Sequence, residues 1–143
     1  VVYVARVPGR TILSVALHVG TRLPAYCTSM GRVLLAGLDP ATARSLLAGA
    51  TIRANTPKTV TSKRELAAIV ADVAERGFAI VDEELELGLR SIAVPVRSRD
   101  GKIAAAINVS TQSARFSVRD MQRDFLPALR TAASRIEDFF VVQ

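Results

Sequence analysis

Two β-branched runs, Ile92 to Val96 and Ile103 to Val109, flank Arg97-Ser98-Arg99-Asp100-Gly101-Lys102, and this pattern constrains the chain more than any other stretch. Asp-Gly between such runs is a strong hairpin signal because Gly accepts a positive φ. Successive strand residues point to opposite sides. One side of the expected hairpin therefore holds Ile92, Val94 and Val96 with Ile103, Ala105, Ile107 and Val109. The other holds Ser91, Ala93 and Pro95 with Ala104, Ala106, Asn108 and Ser110. A turn centred on Asp100-Gly101 pairs Ser91 with Ser110, whereas one centred on Arg99-Asp100 pairs Ser91 with Asn108. The faces are the same in either register.

The first face is packed aliphatic, and the second is small side chains ending in a polar cluster. Small residues with hydrogen-bonding groups at one end suit a pocket for a small polar ligand. The same pattern also fits a face that lies under a closely approaching helix, or one that meets solvent, because buried polar groups ordinarily find partners within the protein.

The remaining elements follow from caps and periodicity. Val1 to Val7 and Ile12 to Val19 read as a hairpin around Pro8-Gly9-Arg10, with Leu13, Val15, Leu17 and Val19 on its apolar side. Thr28-Ser29 caps a helix through Met30 to Ala36, and a helix start offers free N–H groups and partial positive charge to a carboxylate. Thr28, Ser29 and Met30 are accordingly candidates for a second pocket wall, next to the reading of an ordinary cap. Asp39-Pro40 opens a short helix that ends at Gly49. After a polar connection, Ser62-Lys63-Arg64-Glu65 is a capping box for a helix with Leu66, Ile69, Val70 and Val73 on one face, closed by Gly77. Phe78 to Val81 is a strand leading into the acidic loop Glu83 to Glu86. Ser117 and Asp120 cap a long helix carrying Met121, Phe125, Leu129, Ile136 and Phe140, in which Pro127 imposes a kink or a fresh start. Strands and helices in this order predict an α+β architecture, an antiparallel sheet with helices on its faces.

At 143 residues the chain has the length of one domain, residues 1–143, with enough material for a core. Its net charge of +6 raises nucleic acid as a partner. The Lys and Arg residues are dispersed, however, and no helix-turn-helix or aromatic RNA-binding motif accompanies them, so direct DNA binding by this segment is not expected. A single cysteine, Cys27, excludes an internal disulfide and fits a reducing, cytoplasmic setting. The apolar runs are too short for a membrane span, and no cofactor or metal motif is present. The chain opens on Val1 within a strand pattern, which reads as a fragment of a longer protein.

Four stretches together carry a resemblance: Val19 to Ala36 ("VGTRLPAYCTSMGRVLLA"), Gly77 to Glu84 ("GFAIVDEE"), Gly88 to Val96 ("GLRSIAVPV") and Ala106 to Ser110 ("AINVS"). They resemble the C-terminal effector-binding domain of IclR-family bacterial transcriptional regulators, over essentially the whole chain. The forms "LPAYCTSMGRVLLA" and "ELGLRSIAVPV" are most similar to the branch controlling aromatic-acid catabolism through the β-ketoadipate pathway. The resemblance implies a GAF-like domain that binds a small organic acid. It also implies an N-terminal winged helix-turn-helix that is absent here and supplies DNA binding, and assembly as a homodimer or tetramer. It places the pocket at Thr28, Ser29, Met30, Ser91, Asn108 and Ser110, the positions that the alternation and the cap also select. Members that bind pyruvate have small or reactive residues where this chain has Met30 and Ser91, and a hydroxyl where it has Asn108, so their ligand class does not carry over. Tyr26 is a further candidate, stacking on a ligand ring or sitting at the core rim. Arg90 is either a pocket cation or, since it alternates away from Ser91, an anchor for the Glu83 to Glu86 loop.

Two other function classes compete with a ligand sensor. A hydrolase would use Cys27 as nucleophile and His18, the sole histidine, as base, but the spacing supplies no third orienting group. An oligomerisation module would pack the small-residue face against another chain. The expectation is a sensor without enzymatic activity.

Overall fold

The computed structural model describes residues 1–7 and 17–141. In chain order the elements are α1 (Ser29–Ala36), α2 (Pro40–Gly49), α3 (Lys63–Arg76), β1 (Ala79–Asp82), β2 (Leu89–Arg97), β3 (Ile103–Gln112), α4 (Val118–Asp120), a π-helical turn (Met121–Phe125) and α5 (Leu126–Val141). The three strands form an antiparallel sheet in the order β1-β2-β3, with helices packed on both faces, which is the expected α+β class.

Strand β2 is the middle of this sheet and pairs along its length with β3, Ser91 opposite Ser110. That is the pairing expected of an Asp100-Gly101 turn, reached here by a turn that closes on Arg97 and Ile103 plus one extra residue in β3, and Gly101 takes a positive φ (78°) in the turn. The aliphatic face behaves as its alternation predicts. Ile92, Val94 and Val96 pack with Met121, Leu126, Leu129 and Ala133 of the C-terminal helical segment, joined by Ala105, Ile107 and Val109.

One residue departs from the predicted face. The pairing shifts at Val96/Arg97 so that Arg97 meets Ile103, which leaves Ala104 as an extra residue in β3. A bulge of this kind turns the strand beyond it, and Ile103 packs with Ala106 beneath α1 instead of with Ala105. Gly37, at the end of α1, lies against it so closely that a Cβ there would come within 2.7 Å of the Ile103 Cβ.

On the opposite face Ala79 and Ala93 are completely buried against Val33 of α1 and Val73 of α3. Alanines let α1 approach the sheet, so half of the small-residue face is a helix-docking surface. Further out, Leu35, Ala43, Leu47, Leu66 and Val70 close a second cluster among α1, α2 and α3, with Tyr26 and Cys27.

Other expectations divide. The strand Ile12 to Val19 falls largely on residues 8–16, outside the described residues. Val1 to Val7 do not form a long strand: Val2 makes a single bridge with Arg22, and the Tyr3 N–H donates to the Thr21 carbonyl at 3.0 Å. Ser117 and Asp120 make the reciprocal capping box. At Pro127 the expected fresh start takes the form of a new α-helical run, α5, which begins at Leu126 after the π turn. Pro127 cannot donate, and its ring would strike the carbonyl four residues back. The helix widens into the π turn just before it, where the Leu126 N–H reaches Met121, and then continues.

The Glu83 to Glu86 loop is fixed by a buried ion pair. Arg32 Nη1 and Nη2 donate to Glu84 Oε1 and Oε2 at 2.8 and 2.7 Å, and Arg32 Nε donates to the Tyr26 carbonyl at 2.9 Å. Glu84 Oε2 also accepts the Val60 N–H at 3.1 Å. A pair so fully satisfied is tolerated, while a lone buried charge is not. Replacing Glu84→Ala is expected to cost roughly 3–5 kcal/mol in urea denaturation; a loss below about 1 kcal/mol would show that the charge is not buried as described. At Gly31 a Cβ would lie 2.3 Å from the Ala25 carbonyl oxygen. Gly31→Ala is therefore expected to destabilise by about 3 kcal/mol by overpacking, read by the same titration.

Candidate ligand-binding pocket

The start of α1 stands over the polar end of the small-residue face. Thr28 is the N-cap in extended conformation, its Oγ1 accepting the Gly31 N–H at 3.3 Å and donating to the Pro24 carbonyl at 2.8 Å. The Arg32 N–H bonds the Thr28 carbonyl at 3.0 Å. Of the first-turn amides, Ser29 and Met30 have no intrahelical acceptor, and the helix dipole puts partial positive charge there.

Beyond that helix start lies a narrow cleft enclosing about 30 Å³. Thr28, Ser29 and Met30 line one wall, and Ser91, Asn108 and Ser110 line another. Asn108 Nδ2 donates to Ser110 Oγ at 3.1 Å, and the Tyr3 phenol also hydrogen-bonds with Asn108, so the polar end of the cleft is a linked network in which the serine hydroxyl protons can turn to a guest. Ser29 Oγ has no hydrogen-bond partner although Ser29 is only 1% exposed. An orphaned hydroxyl that deep is costly unless something else binds it. Leu17, Val81, Leu85 and Leu89 supply apolar wall.

The spacing therefore brings together six of its eight candidates and separates two. Tyr26 belongs to the helical cluster: its hydroxyl donates to the Arg53 carbonyl at 2.9 Å and accepts the Arg53 N–H at 3.1 Å, and it does not line the cleft. Arg90 points to the other side of the sheet, as its alternation from Ser91 demands. There it pairs with Asp82 at 2.7 Å and donates to the carbonyls of Ser113 and Phe116. Its role is to anchor the turn after β3, and the acidic loop is held by Arg32 instead.

Sequence reasoning did not identify Tyr3, Leu17, Cys27, Val81, Leu85 or Leu89 as lining residues. Val81 was within reach of the alternation argument, since it pairs with Ser91. Tyr3 enters through the Gly20 to Leu23 contacts, which no local pattern announces. Burial raises the pKa of its phenol above the ordinary value, offset in part by a hydrogen bond with Asn108 and the charge of Arg6, so it stays a neutral hydroxyl at pH 7.

The chemistry of a thiol nucleophile does not fit this environment. Cys27 is fully buried, and burial together with the Glu84 carboxylate pushes its thiol up to about 11. Its hydrogen-bond partner is Asn55 at 3.3 Å, while His18 is exposed. Nor is the small-residue face open to a second chain at Ala93, which α1 and α3 already cover. Among the described residues no cluster of His, Cys, Asp and Glu is arranged to hold a metal, and no helix is long and apolar enough to cross a membrane.

Comparison with known proteins agrees with this architecture. Residues 1–138 match the family described as bacterial transcriptional regulator IclR, C-terminal. The Pca regulon regulatory protein of Pseudomonas putida is 46% identical over 136 residues, covering 94% of this chain and 46% of that one. A transcriptional regulator from Rhodococcus sp. RHA1 superposes with a TM-score of 0.94 at 46% identity, covering 99% of this chain and 58% of that one. The inducer-binding domain of the PobR transcription factor from Acinetobacter, solved as a double mutant with 3-hydroxybenzoic acid, superposes with a TM-score of 0.83 at 32% identity, covering 91% and 74%. The chain spans about half the length of the curated relatives it matches. It belongs to the IclR family of bacterial transcriptional regulators, whose C-terminal domain it matches almost end to end.

Proposed function

We propose that the chain is the ligand-sensing domain of a transcriptional regulator and that the cleft at the start of α1 takes a small organic acid. The observation that carries this reading is the Ser29 hydroxyl, buried, unpartnered and facing the cleft beside the amides of Ser29 and Met30. A carboxylate placed there accepts from all three groups and lies at the positive end of the helix. Ser91, Asn108 and Ser110 on the far wall then meet a hydroxyl or a second acid group, and the leucines enclose the body of the ligand.

Aromatic acids fit this division of apolar walls and two polar ends. The names of two similar proteins support the class, one a regulator of the Pca regulon and one bound to 3-hydroxybenzoic acid. A β-ketoadipate-type dicarboxylate is the second candidate within it. No Lys, Arg or His lines the described cleft, so a second carboxylate has only neutral donors. In the full regulator we assign operator binding to an N-terminal winged helix-turn-helix and place this domain in a homodimer or tetramer. Ligand preference for one of two conformations then biases DNA binding.

Isothermal titration of this chain with 3-hydroxybenzoate, 4-hydroxybenzoate, protocatechuate and β-ketoadipate tests the assignment. Saturable binding of at least one acid is expected, and silence from all four at millimolar concentration would sink it. Ser29→Ala separates ligand binding from folding. It removes a hydroxyl that bonds nothing in the free chain, so the urea midpoint should hold or rise. Ligand affinity should weaken by about 1.5–3 kcal/mol, roughly tenfold or more, for a lost bond to a charged group.

A further inference from the structure

Two walls of the cleft come from segments more than 50 positions apart: the helix start from Cys27 to Ser29, and the loop that carries Leu85. The Arg32–Glu84 pair joins them from behind, outside the cleft. Arg32 lies one turn beyond Ser29 and holds the Tyr26 carbonyl next to Cys27, while Glu84 immediately precedes Leu85. The opposite side of the loop is held as well, with the Thr59 hydroxyl donating to the Glu84 carbonyl at 2.6 Å and the Thr56 hydroxyl to the Glu83 carbonyl at 2.7 Å.

We infer that Arg32 and Glu84 are positioning residues for the pocket, fixing the spacing between the start of α1 and the Leu85 wall. This deepens the ligand-sensor reading and rests on it for its effect on affinity. The physical reason is direction. A planar guanidinium fork against a carboxylate sets distance and angle together, and its third donor locks a loop carbonyl. An apolar pair of the same volume recovers packing energy without the bidentate fork or the third bond to the Tyr26 carbonyl. A ligand held at one end by Ser29 and along its body by Leu85 needs both walls within a fraction of an ångström of their bound spacing.

The test separates packing from positioning. Arg32→Met and Glu84→Leu are made singly and together, and each variant is followed by urea denaturation, by hydrogen–deuterium exchange of peptides 26–31 and 84–89, and by titration with 3-hydroxybenzoate and the three other acids. The double variant is expected to regain most of the urea midpoint lost by the singles. Its two peptides should still exchange at least tenfold faster than in the wild type, and its affinity should remain at least tenfold weaker. Exchange and affinity that recover together with stability would overturn the positioning role. Should the double variant not fold, Arg32→Lys keeps the charge and loses the fork; faster exchange confined to those two peptides supports the proposal, and unchanged exchange overturns it. A wild-type chain that binds none of the acids overturns the ligand reading alone, and the exchange rates then decide the role of the pair.

Discussion

Strand β2 is buried on both faces, and the rest of the molecule follows from satisfying it. Ile92, Ala93 and Val94 are each 1% exposed or less, so both sides must be covered and both edges paired over the same few residues. Covering the aliphatic side takes residues from both sides of Pro127, Met121 of the π turn and Leu126, Leu129 and Ala133 of α5. Covering the alanine side brings α1 close. Because α1 runs from Ser29 near Ser91 to Gly37 against Ile103, it covers only part of that face. The cleft is what remains at its N-terminal end.

The small-residue face divides into two halves, one packed under a helix and one lining a cleft. Ala93 and Ala106 are small so that a helix can dock, while Ser91, Asn108 and Ser110 lie past the helix start and line open space. The change occurs where the helix begins, which is why an N-cap and a polar strand end meet. Dipole, free amides and hydroxyls converge as a consequence of one packing decision and need no loop to deliver them.

Local patterns were legible where a single rule governs them. Period-two alternation specified the faces of β2 and the distal part of β3, and capping residues specified the starts of α1, α2 and α3. Tyr26 stayed open between a ligand ring and the core rim because a side chain next to a cap has two directions open to it, and its bonds with Arg53 place it at the rim. Ile103 was misplaced because a bulge adds one residue to the count and reverses every assignment beyond it. Arg90 was correctly directed away from Ser91, but its partners, Asp82 and the turn at residues 113–116, depend on register and chain reversal together.

The buried pair shows the limit of such reading most clearly. Arg32 sits in the α1 pattern between Gly31 and Val33, where helical periodicity alone does not mark it as buried, and Glu84 sits in an acidic loop that reads as solvated. Nothing local distinguishes either from a surface charge, since burial of each depends on the other and on Val60 and Tyr26 completing their hydrogen bonds. Two desolvated charges bring little net stability over an apolar pair of the same size. Their presence is better understood through what apolar groups lack, a preferred direction, and that direction runs between the two walls of the cleft.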